Sequence, residues 1–322
     1  MSTPNGPASG LPVRMPRPRQ PGRHRRPEPL AAPEGAPALV LAVPGTPGAA
    51  TRSIAEEVVS IARSELPGLD ARIGYVDGDD AEYPALASVL AQIAAERTER
   101  AQRIALLREQ LAQRPDETAP EDLPSVPDTD GPVAVVVPLL AGPDSALMRR
   151  IRQALNDSRT AAELTDVLGP HPLLAEALHV RLSEAGLARA DRARLFTVAT
   201  AADGIVLATV GGEEAVQAAG ITGMLLAARL AVPVLAAALD VEGSIARTAE
   251  QLRTSGSGNL AVAPYLVGPE VAEGLVKAAA DEAACATAEP LGAYPAIGRL
   301  VLSKYATALG IAHPQMQGSQ VR

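Results

Sequence analysis

Short apolar runs, each closed by turn residues, alternate along this chain with stretches whose apolar positions recur at helical spacing. Ala38-Leu-Val-Leu-Ala-Val43 is the first such run, and it ends in Pro44-Gly-Thr-Pro-Gly48. A helix is expected from about Arg52 to Leu66, capped by Thr51 and stopped by Pro67-Gly68. The run Asp70-Ala-Arg-Ile-Gly-Tyr-Val76 follows, closed by Asp77-Gly-Asp-Asp80, and a longer helix is predicted from about Tyr83 to Gln113. Val133-Ala-Val-Val-Val-Pro-Leu-Leu140 is uncharged and rich in β-branched residues, so it reads as a strand buried on both faces. A helix from about Ser145 to Leu155 comes next, and another ends near Gly186. Strands alternating with helices imply βαβ units and a parallel sheet.

The pattern then restarts. Gly204-Ile-Val-Leu-Ala-Thr-Val210 leads into Gly211-Gly212, a helix over about Glu213 to Leu230, and the strand Val232-Pro-Val-Leu-Ala-Ala-Ala-Leu239. A helix from about Gly243 to Thr254 precedes Leu260-Ala-Val-Ala-Pro-Tyr-Leu-Val-Gly-Pro269, which echoes the buried strand. Pro264 matches Pro138, and Gly268-Pro269 matches Gly142-Pro143. Ala288-Glu-Pro-Leu-Gly-Ala-Tyr-Pro-Ala-Ile297 likewise repeats Asp166-Val-Leu-Gly-Pro-His-Pro-Leu-Leu174. Three landmarks in the same order indicate an internal duplication: an α/β protein of two parallel-sheet units, residues 38–186 and 204–310. Pro- and Arg-rich residues 1–37 are expected to form a basic tail, either a solvated extension or a segment that contacts a protein partner. Residues 114–131, rich in Pro and acid, read as a flexible insertion in the first unit, and 311–322 as a C-terminal tail.

Composition narrows the function classes. With 47% hydrophobic but only 2% aromatic residues, no Trp and a single Phe at 196, the cores must be built of Ala, Val and Leu. So few aromatic faces argue against a stacking platform for single-stranded nucleic acid, and a net charge of −8 argues against nucleic-acid and anionic-membrane binding in general. The lone Cys285 excludes an intrachain disulfide and a cysteine-cluster metal site. The sequence has neither the roughly 20-residue apolar run of a membrane span nor an apolar segment after the N-terminal arginines, so a cytoplasmic protein is expected.

Certain segments resemble a known family. Val135-Val-Val-Pro-Leu-Leu140, followed after a helix by Leu168-Gly-Pro-His-Pro-Leu-Leu174, is similar to the sirohydrochlorin chelatases, as is Gly74-Tyr-Val-Asp77 with Tyr83-Pro84 after it. The resemblance covers residues 38–186 and, more weakly, 204–310. It implies two α/β units facing across a cleft and a lyase of the cobalamin or sirohaem pathway type. Such an enzyme inserts Co²⁺, Ni²⁺ or Fe²⁺, as substrate metal, into a tetrapyrrole. In the family, histidines after the first strand and in the loop after the buried strand serve as ligands, and imidazole suits first-row divalent metals. Here Pro44 and Val210 stand at the turns, and neither Gly142-Pro-Asp-Ser-Ala-Leu-Met-Arg-Arg150 nor Gly268-Pro-Glu270 supplies a histidine. Impaired or lost catalysis follows, or a non-catalytic binding or regulatory role.

The carboxylates Asp77, Asp144, Asp240 and Glu270 end strands or sit in the key loops, so they are the candidate metal ligands. Carboxylates alone favour hard ions over Co²⁺ or Ni²⁺, and each also fits an ordinary strand-end turn or helix cap. Gly45, Thr46, Pro138, Gly142, Gly211, Gly212 and Gly268 mark the candidate ligand cleft, because ligands of open parallel sheets bind beyond the carboxyl ends of the strands. His171 reads as a structural residue at a helix start, and its spacing from His179 is not that of a helical metal pair. Deleting the insertion at 114–131 is expected to lower the thermal midpoint by less than about 5 °C, the effect of roughly 1–2 kcal/mol; a larger drop in a calorimetric scan would show that it contributes to the fold.

Overall fold

The computed structural model describes residues 31–79, 81–113, 131–188, 201–268, 270–272 and 274–310. The tail as far as residue 30, the insertion over 114–130 and residues 311–322 lie outside the described residues. The first unit runs β1 (Ala38–Val43), α1 (Ala49–Glu65), β2 (Ala71–Tyr75), α2 (Leu86–Ala112), β3 (Ala134–Pro138), α3 (Ser145–Ser158), β4 (Ala162–Leu164) and α4 (Pro172–Glu184). The second repeats it as β5 (Gly204–Thr209), α5 (Gly212–Leu230), β6 (Val234–Ala238), α6 (Ser244–Thr254), β7 (Leu260–Pro264), α7 (Leu275–Glu282), β8 (Ala286–Thr287) and α8 (Pro295–Ala308).

Each unit forms a four-stranded, wholly parallel sheet, in the orders β2-β1-β3-β4 and β6-β5-β7-β8. The registers coincide: Pro138 pairs with Ala42, and Pro264 with Ala208. The duplicated sequence thus folds as a duplicated topology. The short edge strands β4 and β8 escape sequence reading because three and two residues carry too little alternation to register. The first helix begins at Ala49 with Gly48 as its cap, not at Thr51; the Thr51 hydroxyl instead donates to Thr46 O at 3.1 Å from inside the first turn.

Side-chain alternation gives each sheet two packed faces. Along β1 and β3, Leu39, Leu41, Val43, Val135 and Val137 point to one face, and Val40, Ala42, Ala134 and Val136 to the other. The latter set packs under α2 and α3 through Leu90, Ile93, Met148 and Ile151. In the second sheet Val206, Ala208 and Val262 pack under α6 and α7, while Ile205, Leu207, Ala261 and Ala263 face inward. The two inward faces are covered by four central helices that pack on one another, α1 and α8 on the first sheet and α4 and α5 on the second.

Two of these helices are exchanged between the units. Helix α4 follows the first sheet but packs on α5 and β7, and α8 follows the second sheet but packs on α1 and β3. Arg181 of α4 donates from Nε and Nη2 to Leu291 O, and the Tyr305 hydroxyl of α8 donates to Pro37 O at 2.7 Å. Residues 31–37, grouped with the tail on composition, therefore lie against the fold: Ala32 packs on the central core and its N–H donates to Pro67 O at 2.9 Å. Among the described residues, no helix is long and apolar enough to cross a membrane.

Small residues set the spacing of the central helices. A Cβ on Gly298 of α8 would stand 2.5 Å from Ile61 Cγ2 of α1 and 3.3 Å from Val58 O. Gly298→Ala is therefore expected to destabilise the protein by about 1–3 kcal/mol in urea unfolding, although Ala is the better helix former. Unchanged or increased stability would show that α1 and α8 yield freely.

Candidate functional site

In each sheet the strand order reverses between the first strand of the unit and its neighbour, at β1/β3 and at β5/β7. The crevice beyond the carboxyl ends of such a pair is where an open α/β sheet binds ligands. Here each crevice is filled by a loop of the other unit. After β7, Gly268 and Glu270 enter the first unit's crevice beside Val43, Pro44, Thr51, Ile54 and Leu139, where a cavity of only about 10 Å³ remains. That is space for about one water molecule. After β3, Gly142, Pro143 and Asp144 reach the second unit's crevice. A Cβ on Gly211 would meet Pro143 O at 2.6 Å, and one on Gly142 would meet the Tyr265 ring at 3.3 Å.

Tyr265, which immediately follows β7, fills the middle of the seam. It is fully buried, and its hydroxyl pairs with Thr222 Oγ1 of α5 at 3.1 Å. The same hydroxyl lies where a Cβ of Gly169 would have to stand, so only glycine fits there. Burial pushes the Tyr265 phenol up to about 12, so it stays neutral and serves as a hydrogen-bonding wedge. Sequence reasoning did not single it out. The available signal was its position in the echo, where an aromatic replaces Leu139 in a chain with few aromatics.

The four candidate carboxylates occupy four different settings. Asp77, beyond β2, pairs with Arg150 of α3. Asp144 caps α3, accepting from Leu147 N at 2.9 Å. Asp240 accepts from Gly211 N at 3.2 Å and Gly212 N at 3.1 Å through one oxygen, so the chain's own carboxylate occupies the anion position those amides create. Glu270 turns back on its own loop and accepts from Val267 N at 2.7 Å and Gly268 N at 3.4 Å. Asp144 and Glu270, equivalent in the repeat, come near enough to each other for the charge of Asp144 to act on Glu270. Among the described residues, no group of three or more His, Cys, Asp or Glu side chains is placed to hold a metal ion.

The remaining candidates have local roles. Gly45 takes a φ of 87°, Gly211 of 107° and Gly212 of 69°, conformations that glycine adopts without strain. Thr46 supplies the carbonyl that Thr51 binds, Pro138 ends β3 inside the core, and Gly268 packs under Ile54. His171 caps α4 by accepting from Leu173 N at 3.1 Å through Nδ1, as a helix-start residue should, and burial followed by the Lys304 charge lowers its pKa. His179 is buried and accepts from Arg229 Nε at 2.8 Å, joining α4 to α5.

Two larger pockets flank the seam at pseudo-equivalent places. One, of about 650 Å³, is of mixed polarity and is lined by Asp144, Arg149, Arg152, Asp166, Glu214 and Lys304 among others. The second, of about 830 Å³, lies between α1, the β7–α7 loop and the β8–α8 loop. Its walls include Ile54, Leu266, Val271, Val276 and Ala293, and Glu57, Arg181, Lys277 and Glu289 contribute charged groups.

The class that this fold defines is visible in solved structures. The sirohydrochlorin chelatase SirB from Bacillus subtilis subspecies spizizenii, in complex with cobalt, aligns with 87% of this chain and 97% of its own at a TM-score of 0.50 and 12% identity. SirB from Bacillus subtilis with Fe³⁺ aligns with 85% and 98% respectively, at a TM-score of 0.52 and 12% identity. DR2241 from Deinococcus radiodurans, a multi-domain protein described as structurally similar to chelatases, is 18% identical over 84% of this chain and 55% of its own, at a TM-score of 0.47. No protein-family model and no curated protein matches the sequence. At 12% identity the likeness to SirB establishes a shared fold.

Glu270 supplies a pH signature. Burial is the main reason its carboxyl is pushed up to about 8; the two N–H donors oppose the shift and Asp144 adds to it. Part of the residue reaches solvent, but protein crowds the carboxyl end. An unfolded Glu titrates near 4.3, so between about 4.3 and 8 the folded chain holds a proton that the unfolded chain releases. The stability contributed by this group is complete below about 4.3 and is lost as pH rises through 8. Glu270→Gln, which keeps the acceptor oxygen, is expected to flatten the fall in stability between pH 5 and 8.5. Parallel denaturation curves for the two proteins across that range would contradict this account of Glu270.

Proposed function

We propose that this chain is a chelatase-fold binding protein that takes a tetrapyrrole-sized molecule and does not insert a metal into it. The observation that carries the reading is the 830 Å³ pocket beside the plugged seam, with apolar walls and charged groups around them. Its volume falls in the range of pockets that enclose ligands of several hundred daltons. Apolar side chains such as Val271 and Val276 would exclude water from a macrocycle. Lys277 offers a cation for a peripheral carboxylate, because its ion pair with Asp281 is exposed and so exchanges at little cost.

Two features argue against insertion. Among the described residues, the lining includes no imidazole to hold a first-row metal or receive pyrrole protons. The crevices at the sheet switch points, where open parallel sheets bind ligands, are occupied by Tyr265, Gly142 and the Glu270 loop. The alternative of metal insertion rests on the likeness of fold alone.

Absorbance titration with sirohydrochlorin, with and without Co²⁺, tests the reading. Saturable spectral shifts are expected, weakened at least about 10-fold by Val276→Arg, with metal insertion no faster than in protein-free buffer. Absence of binding would remove the ligand assignment. Insertion above background that disappears in Asp144→Ala or Asp77→Ala would establish catalysis and identify its ligands.

A further inference from the structure

We propose that two copies of this chain associate through the free edge of β6 and the outward face of α5. The four sheet edges of the described fold differ sharply. β4 and β8 span three and two residues, too short to template another strand. β2 is guarded: Arg72 binds Asp70 and Glu96, Arg63 Nη2 donates to Ala71 O, and Tyr75 N donates to Pro84 O where the chain folds back. β6, Val234-Leu-Ala-Ala-Ala238, has no charged side chain and no such return. Natural sheets normally blunt an edge of this kind with charge, proline or a covering element.

The backbone of β6 is directed to receive a partner. Ile205 N donates to Pro233 O, which places residues 233, 235 and 237 toward β5 and turns the N–H and C=O of Val234 and Ala236 outward. Ala238 N follows the same outward direction and donates to Ser244 Oγ at 3.3 Å, which closes that end of the edge.

Helix α5 extends the bare surface. Ala215–Ala228 contains no charged residue, whereas the matching helix α1 carries Arg52, Glu56, Glu57, Arg63 and Glu65. Gly223 faces Val234 and Leu207; about 100° around the helix from it Met224 is 67% exposed, and Ile221 and Leu225, also exposed, point away from the sheet. Leu235 is exposed on the opposite side of the same edge. The pseudo-symmetry makes the contrast informative, because the same scaffold is charged and covered in one unit and apolar and open in the other.

A second copy is the occupant that covers both parts. A twofold axis at Leu235 would lay β6 antiparallel to its copy, pair the outward backbone of Val234 with that of Ala236 in the copy, and join the two sheets edge to edge. With α5 seated over β5 and β6, its copy would stand about 10 Å away, two strand spacings, which is the distance at which helices pack. Met224 would then fill the space between the helices, with Ile221 and Leu225 along its outer rim. A lone peptide strand would satisfy the edge and leave Met224 in water.

Light scattering on the full chain between about 1 and 100 µM tests the proposal. A mass twice the chain's 33.1 kDa is expected, with dissociation raised at least about 10-fold by Ile221→Lys combined with Met224→Lys. Both side chains are exposed, so far-UV circular dichroism should not change. Ala236→Pro, which removes an outward N–H and spares the β5 ladder, should weaken the dimer in the same way. A monomer at about 100 µM overturns the proposal and leaves the face to a different protein. A dimer indifferent to both variants overturns it as well.

Discussion

Tyr265 at the centre of the seam shows the constraint on which the arrangement depends: each unit completes the other's interior. One unit alone, with its own helix over β1 or β5, would leave Val135 and Val137 of β3, or Ala261 and Ala263 of β7, facing water. The exchanged helices α4 and α8 cover those faces, and the loops after β3 and β7 close the remaining crevices. Burying a large side chain contributes a few kcal/mol, and the Thr222 hydroxyl satisfies the polar end that burial would otherwise strand. Gly169 and Gly142 are required because the ring and its hydroxyl take the volume of their side chains. The units are therefore coupled by packing, and neither has a complete core alone.

The duplication has diverged most where its halves perform different physical tasks. Leu139 and Tyr265 are equivalent, yet only the second carries a polar tip to the seam. Asp144 and Glu270 are equivalent too. Asp144 is solvated enough to cap a helix, whereas Glu270 is crowded into a carboxyl that favours its neutral form. The edges differ in the same manner, charged at β2 and apolar at β6. A fold shared with SirB thus carries surfaces and buried groups of its own, and function has to be argued from those groups.

Much of the fold was legible in the chain because parallel strands buried on both faces leave a continuous apolar signature. Val133–Leu140 and Leu260–Val267 carry it, and Pro138 and Pro264 mark equivalent ends. His171 was legible as a helix start because it directly precedes Pro172, a residue suited to a helix's first turn. β4 and β8 were not legible, since their pairing with β3 and β7 is a tertiary event with almost no local pattern.

The sequence by itself determined the two α/β units, their order of elements and the absence of histidine from the turns at Pro44 and Val210. It did so because periodicity, glycine, proline and residue chemistry are local properties. Only the tertiary structure decided that α4 and α8 change sheets, that Asp240 fills the anion position of Gly211 and Gly212, and that Glu270 is crowded against the other unit. These outcomes depend on which surfaces meet across long sequence separations, and a residue's own neighbours in the chain carry no record of that meeting.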